Sequence, residues 1–269
     1  MHRRPRSLIL DVDGPVHVAD HGGAPGLPLV MCVHGLAGRQ ENWHALAAEL
    51  QGRARLVAVD LPGHGGSPLE GRSVGVAANV KVLEGVVAQL VDGPFTLVGH
   101  SMGAALAVLY TARHPGKVSR LALLAPPAPR SVVDPVTRHL AAHAAVCALP
   151  SFGHQRLGRH LLADRLGTSP PDDAVSVFVE AARSVGALVL RSQEYRSAIA
   201  SVACPTAVLH GSVDTVAPPA TLRRLTALRP DWQPHLLPGV GHSPHRQVPE
   251  LVAPHVLEPA QADPVPAAG

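Results

Sequence analysis

LVGHSMGAA, residues 97–105, joins an apolar strand-like run to an apolar helix-like run through a corner that holds two glycines and a serine. Gly99-His100-Ser101-Met102-Gly103 fits G-x-S-x-G, and it does so in the strand-then-helix context that gives the pattern meaning. So sharp a turn crowds the positions two residues either side of its apex. Gly99 and Gly103 are therefore required to be small, and Ala104 meets the same need one step on. Such a corner lifts the Ser101 hydroxyl above a sheet and aims a helix N-terminus at whatever it attacks. Free N–H groups at that terminus favour a developing negative charge.

Outward from this corner the chain has a regular beat. SLILDVDG and PVHVADHG are short, β-rich and parted by Gly-Pro, which predicts an N-terminal hairpin. LPLVMCV (27–33) is a continuous apolar run, as expected of a strand buried on both faces. After the loop HGLAGRQ and a helical ENWHALAAEL comes a second buried strand, RLVAVD (55–60). Val76, Val80, Leu83, Val87 and Leu90 then recur at helical spacing. FTLVGH, RLALLAP (120–126), PTAVLHG (205–211) and a strand near QPHLLPG complete eight strands, with helices over MGAALAVLYTARHP, TLRRLTALRP and the C-terminal region. Strands alternating with helices imply an α/β fold, a mostly parallel sheet covered on both faces. No internal repeat is apparent.

The beat breaks once. Between 128 and 203 only Ala- and Leu-rich helical segments occur, such as DPVTRHLAAHAAVCAL, HQRLGRHLLADRLG and DDAVSVFVEAARSVGALVL. That length exceeds a loop and predicts an inserted helical cap over the carboxyl ends of the strands. The expected organisation is a core of residues 1–127 and 204–258, a cap or lid over 128–203, and a disordered tail over 259–269.

A serine hydroxyl needs a base, and the base needs a third group to orient it. GSVDTVAP places Asp214 just after the strand ending near His210, and VGHSPH places His242 just after the last strand. The order Ser101, Asp214, His242 is that of a triad built on an α/β sheet, with all three emerging at one sheet edge. Because the chain has 17 histidines, the presence of one means little. His245 is the rival base and Asp134 the rival acid. His34 and His64 read as loop braces, His100 as a packed side chain turned away from the serine, and His210 as structural. Asp60 reads as a backbone anchor, Cys32 as core, and Trp43 as packing between helix and sheet.

With these motifs assembled, the chain resembles the α/β-hydrolase fold family over nearly all of residues 8–258. His34-Gly35 after the third strand and Asp60-Leu61-Pro62-Gly63-His64-Gly65-Gly66-Ser67 after the fourth fit its pattern. A common form of the elbow has Gly where this chain has Ala104, and a small residue suffices. The resemblance implies an α/β-hydrolase fold with an inserted cap, and backbone N–H groups of Leu36 and Met102 as an oxyanion hole. It also implies a Ser101–His242–Asp214 catalytic triad acting through an acyl-enzyme. Such a reaction needs no cofactor and no metal. Relatives of this fold that are epoxide hydrolases or dehalogenases use Asp as nucleophile, so Ser101 argues against those chemistries.

Composition bounds the partner. Aromatic residues make up only 3% of the chain, so a pocket must be lined mainly by Leu, Val and Ala. The cap segment carries eight arginines against six carboxylates, so nothing in it demands an anionic substrate. A small or medium apolar carboxylic ester is the expected small-molecule substrate. A meta-cleavage-type carbon–carbon hydrolase, a thioesterase or a lactonase is the alternative. A ligand-binding or receptor-like member with little turnover is the non-enzymatic one. The formal charge of +3 is small, and the cluster His2, Arg3, Arg4 and Arg6 reads as a solvated arm, so no nucleic-acid partner is expected. No run reaches membrane-spanning length or forms a signal-peptide core, so no membrane partner is expected. Cys32, Cys147 and Cys204 lack metal spacing and suit a reduced, cytoplasmic setting. Monomer and homodimer both remain open.

Overall fold

The computed structural model describes residues 5–129, 172–190 and 193–257. The hairpin forms as expected: β1 (Arg6–Asp11) pairs antiparallel with β2 (Pro15–Asp20). Next come β3 (Leu29–Val33), a 3-10 turn (Gln40–Trp43), α1 (His44–Glu49) and β4 (Arg55–Val59). Then follow α2 (Val76–Leu90), β5 (Phe95–His100), α3 (Met102–Arg113) and β6 (Val118–Leu124). The chain continues with α4 (Asp172–Leu190), α5 (Gln193–Ser201), β7 (Thr206–Gly211), α6 (Ala220–Leu228) and β8 (Gln233–Leu237). It ends in α7 (Pro244–Gln247) and α8 (Pro249–Leu257). Proline at 249 divides the expected C-terminal helix in two, since its ring opens a new helix more readily than it continues an old one.

The eight strands run in the order β1-β2-β4-β3-β5-β6-β7-β8. β2 meets β4 antiparallel, and every pairing from β4 to β8 is parallel. Strand side chains alternate between two faces, and here both faces are dry, which explains why the strands read as continuous apolar runs. Met31, Val33, Val57, Val59, Leu97, Leu121, Leu123 and Val208 enter one cluster with α2 and α3. Val30, Cys32, Leu56, Ala58, Val98, Ala122, Leu124, Ala207 and Leu209 enter the other with Trp43, Leu46 and Val252. Cys32 and Trp43 are thus core residues, fully buried. The α2 stripe faces inward as its spacing requires, with Val76, Val80, Leu83 and Val87 buried.

Of the stretch 128–203 expected as a cap, residues 130–171 and 191–192 lie outside the described residues. So do both earlier helical segments, Cys147 and Asp134 within it, and the tail 259–269. What is described there is helical. In α4, Val175 and Phe178 pack against Leu36 and Ala37 in the loop after β3. Glu180 accepts hydrogen bonds from Ser73 Oγ (2.7 Å) and Val74 N (3.1 Å), and Ser184 Oγ accepts one from Val76 N (2.8 Å), at the first residue of α2. In α5, Tyr195 and Ile199 enter the core cluster, and the Tyr195 hydroxyl donates to Pro127 O at 3.0 Å. No helix among the described residues is long and apolar enough to cross a membrane.

Candidate active site

β5 delivers the chain to Ser101, whose φ of 52° and ψ of −115° lie in the left-handed half of conformational space. Holding a non-glycine residue there costs on the order of 1–3 kcal/mol, and it persists only where the surroundings fix it. They do so from both sides: Ser101 N donates to Leu124 O (2.9 Å), and Ser101 O accepts from Ala104 N (3.0 Å). The flanking glycines are needed because the corner is crowded both within itself and against the end of β3. A Cβ at Gly103 would run into the carbonyl oxygens of Val33 and His34, and one at Gly99 into the backbone of Gly103 and Ala104. The first turn of α3 is therefore wedged against the end of β3, which brings the His34–Gly38 loop beside the serine.

The two partners arrive from two parallel strands beyond β6. Asp214 follows β7, and its Oδ1 accepts from Val216 N (2.8 Å) and Ala217 N (2.9 Å), closing a tight turn on the buried carboxylate. His242 follows β8, and Val213 N donates to Val240 O at 3.0 Å, tying the two loops together. The result is a continuous relay. His242 Nδ1 lies 2.8 Å from Asp214 Oδ2, and His242 Nε2 lies 3.1 Å from Ser101 Oγ. Burial alone would raise the Asp214 carboxyl. The His242 hydrogen bond and charge, with the two backbone N–H groups, outweigh it and hold the group below the usual carboxylate value of 3.8. An ionised carboxylate only accepts, so Nδ1 of His242 carries the proton, and Nε2 offers its lone pair to the Ser101 hydroxyl.

Met102 opens α3, where a backbone N–H has no intrahelical acceptor. Neither its N–H nor that of Leu36 donates to a backbone acceptor among the described residues. Both belong to segments that meet at the serine. Gly35, next to Leu36, is so close that a Cβ there would stand 3.0 Å from Ser101 Cβ.

The rival histidines have other work. His34 Nε2 accepts from Leu61 N (3.1 Å), so its Nδ1 donates to Gly35 O (2.8 Å), and burial, helped by His64 nearby, pushes its pKa down to about 3. His64 Nδ1 donates to Pro62 O (3.0 Å). Both brace loops. His210 donates from Nε2 to Ala217 O at 2.5 Å, within the turn that holds Asp214. His245 is buried between Trp43 and His100, with ring centroids 4.4 and 4.6 Å away, and burial holds it neutral, well below 6.5. Its ring packs in the core, and among the described histidines it is His242 whose ring nitrogen meets Ser101 Oγ. Asp60, also buried, accepts from Gln40 N (2.6 Å) and Gly66 N (2.9 Å), the anchoring role expected of it.

His100 does more than pack. Its Nε2 donates to the His242 carbonyl at 2.8 Å, and the two rings lie 5.0 Å apart. The elbow thus grips the backbone of the residue whose side chain faces its serine. Sequence reasoning has no local signal for this, because the partners are 142 positions apart.

Among known proteins, residues 28–247 match the family model described as alpha/beta hydrolase fold. The chain belongs to that family. It is similar to a pimeloyl-[acyl-carrier protein] methyl ester esterase of Chromobacterium violaceum, 29% identical over 229 residues that cover 81% of this chain and 88% of that protein. Lipase LipV of Mycobacterium tuberculosis is 37% identical over 119 residues, 44% of this chain and 43% of that one. In architecture the chain is similar to a loop variant of the haloalkane dehalogenase DbeA from Bradyrhizobium elkanii. That superposition has a TM-score of 0.77 at 17% identity and covers 93% of this chain and 95% of the other.

Proposed function

We propose that this chain is a serine hydrolase that cleaves a small or medium apolar carboxylic ester through an acyl-enzyme. The observation that carries this reading is the unbroken relay from the Ser101 hydroxyl through His242 to the buried Asp214, mounted on an elbow at φ 52°. His242 Nε2 takes the Ser101 proton as Oγ bonds to the carbonyl carbon, and Asp214 keeps the tautomer and offsets the imidazolium charge. The N–H groups of Leu36 and Met102 receive the oxyanion. The protonated His242 then gives its proton to the departing alcohol, and water repeats the attack to release the acid. Removing one oxyanion donor costs about 100- to 1,000-fold in rate.

The ester reading draws support from two sides. The match to a methyl ester esterase extends over most of both chains. Within the molecule, Val175 and Phe178 of α4 lay an apolar patch against Leu36, beside the donor expected to hold the oxyanion. An apolar acyl chain gains about 25 cal/mol per Å² of surface buried there. The dehalogenase likeness speaks for the fold alone, and a serine nucleophile leaves an acyl-enzyme for water to open.

Two measurements test the proposal. A fluorophosphonate probe should label Ser101, and Ser101→Ala should remove that label while the protein stays folded. A panel of p-nitrophenyl and methyl esters of graded acyl length, run beside thioesters, lactones and a vinylogous diketone acid, should favour the short and medium esters. A folded wild-type protein that takes no label at Ser101 would return the chain to the ligand-binding reading. Preference for the diketone acid would move it to carbon–carbon hydrolysis.

A further inference from the structure

A second serine–histidine–carboxylate relay lies at the other edge of the sheet. Ser7 on β1 pairs with Ala19, and Ile9 pairs with His17 of β2, so Ser7 and His17 are diagonal neighbours on one face of the hairpin. Ser7 Oγ stands 2.8 Å from His17 Nε2, and His17 Nδ1 stands 2.8 Å from Asp60 Oδ2. Asp60 follows β4, is buried, and already accepts from the backbone N–H groups of Gln40 and Gly66. Such a carboxylate serves as an acceptor, which assigns the proton to Nδ1 of His17 and leaves the Nε2 lone pair for the serine hydroxyl. The imidazole is fixed in place. His17 N donates to Ser67 Oγ (2.8 Å), Ser67 Oγ donates to Asp60 O (2.6 Å), and a Cβ at Gly66 would come within 2.8 Å of His17 Cγ. Ser7 itself is exposed, so reagents reach it without any opening of the fold.

We propose that Ser7 is a second base-activated serine and a site of covalent acylation by activated carboxylic donors, namely aryl esters and thioesters. Ser7 Oγ bonds to the donor's carbonyl carbon as its proton passes to His17 Nε2. The carbon–oxygen or carbon–sulfur bond to the leaving group breaks, and the phenol or thiol leaves with that proton. Ser7 sits within an extended strand and, unlike Ser101, is not directly followed by a helix N-terminus. That restricts it to donors with good leaving groups and leaves the acyl-serine slow to hydrolyse. The site is a point of stoichiometric modification, independent of any turnover at Ser101.

The test uses the full chain carrying Ser101→Ala, treated with p-nitrophenyl acetate and followed by intact mass and peptide mapping. Acetyl-Ser7 should accumulate at a measurable rate. That rate should exceed acetylation of the exposed Ser197, and should fall by about 100-fold in a further His17→Gln variant. The comparison with Ser197 is read in the Ser101→Ala chain itself, so the idea stays exposed even where His17→Gln fails to fold. No adduct at Ser7, a rate equal to that of Ser197, or a folded His17→Gln chain that is acetylated at Ser7 just as fast would each overturn it. Since Ser101 is already absent, none of these outcomes bears on the ester hydrolase reading.

Discussion

Replacing Asp214 by asparagine separates the chemistry of the relay from its architecture. The two carboxylate oxygens have different partners: Oδ1 takes the N–H groups of Val216 and Ala217, and Oδ2 takes His242 Nδ1. Asparagine keeps an oxygen for the two amides, so the turn survives. It presents an NH₂ group to His242 where an acceptor stood. The imidazole answers by moving its proton to Nε2, and Nε2 can then no longer accept from Ser101. A triad in the wrong tautomer loses about 10⁴ in kcat, or roughly 5.4 kcal/mol of barrier. Asp214→Ala, in contrast, also orphans two backbone donors in a buried turn, at about 1–3 kcal/mol each. Hydrolysis of p-nitrophenyl butyrate, fluorophosphonate labelling rate and thermal melting should be measured on all three proteins. Asp214→Asn should be nearly inert with a melting temperature near wild type, while Asp214→Ala should be inert and destabilised by about 2–6 kcal/mol. An Asp214→Asn protein that melts like wild type and keeps activity within tenfold would refute the assignment of Asp214 as the group that sets the tautomer.

His100→Ala removes the donor that grips the His242 carbonyl. Steady-state kinetics should show kcat lowered by up to roughly 100-fold with KM little changed, since a base displaced by about 1 Å loses its attack geometry. His100→Gln, which keeps a donor, should recover part of the loss. Gly103→Ala drives a methyl group into the carbonyls of Val33 and His34. Urea denaturation should report a loss of about 3 kcal/mol or no folded protein, whereas Ala104→Gly should cost about 1 kcal/mol. Stability should also fall in acid, because burial first, together with neighbouring histidines, depresses His34 to about 3 and His245 well below 6.5. The unfolded chain takes up these protons near pH 6.5, so the stabilisation is complete above that value and declines as the pH drops toward the folded values. At pH 5 His34 alone should cost about 2 kcal/mol relative to pH 7.5, and His245 adds to the loss in the same direction. A urea midpoint unchanged over that interval would mean that they are not held neutral.

How much of this was legible in the residues follows from the range of each interaction. The buried strands and the α2 stripe announce themselves because burial on two faces or one writes a local pattern, and the elbow does so because its crowding is local. β6 starts at Val118, two residues before the apolar run begins, because pairing with Phe95 extends the strand through Ser119, which lies exposed. Ser101, Asp214 and His242 could be lined up from chain order, since parallel strands all end at one sheet edge. The need for both glycines was legible as crowding within the corner, and a Cβ at Gly99 would indeed meet the backbone of Gly103; the residues gave no sign that Gly103 also abuts the carbonyls of Val33 and His34, some 70 residues away. The His100 bond to His242 and the Ser7–His17–Asp60 relay left no sequence trace. Each depends on strand register and loop paths that only the assembled sheet defines.

The two relays let the contribution of the elbow be isolated. Their residue types agree and their distances nearly agree, 3.1 and 2.8 Å at Ser101 against 2.8 and 2.8 Å at Ser7. The relay distances alone therefore do not distinguish the two sites. What the Ser101 corner adds is position: a φ of 52°, the start of α3 directly after the serine, and a loop carrying Leu36 wedged against it by Gly103. The apolar side chains of α4 cover that loop, so charge formed there is less screened than at a water-facing strand. Acyl transfer to serine needs only a base. Turnover needs the oxyanion to be held twice, once as the acyl-enzyme forms and again as water opens it. In the proposed mechanism, the Leu36 and Met102 N–H groups at the corner between β5 and α3 would hold it both times.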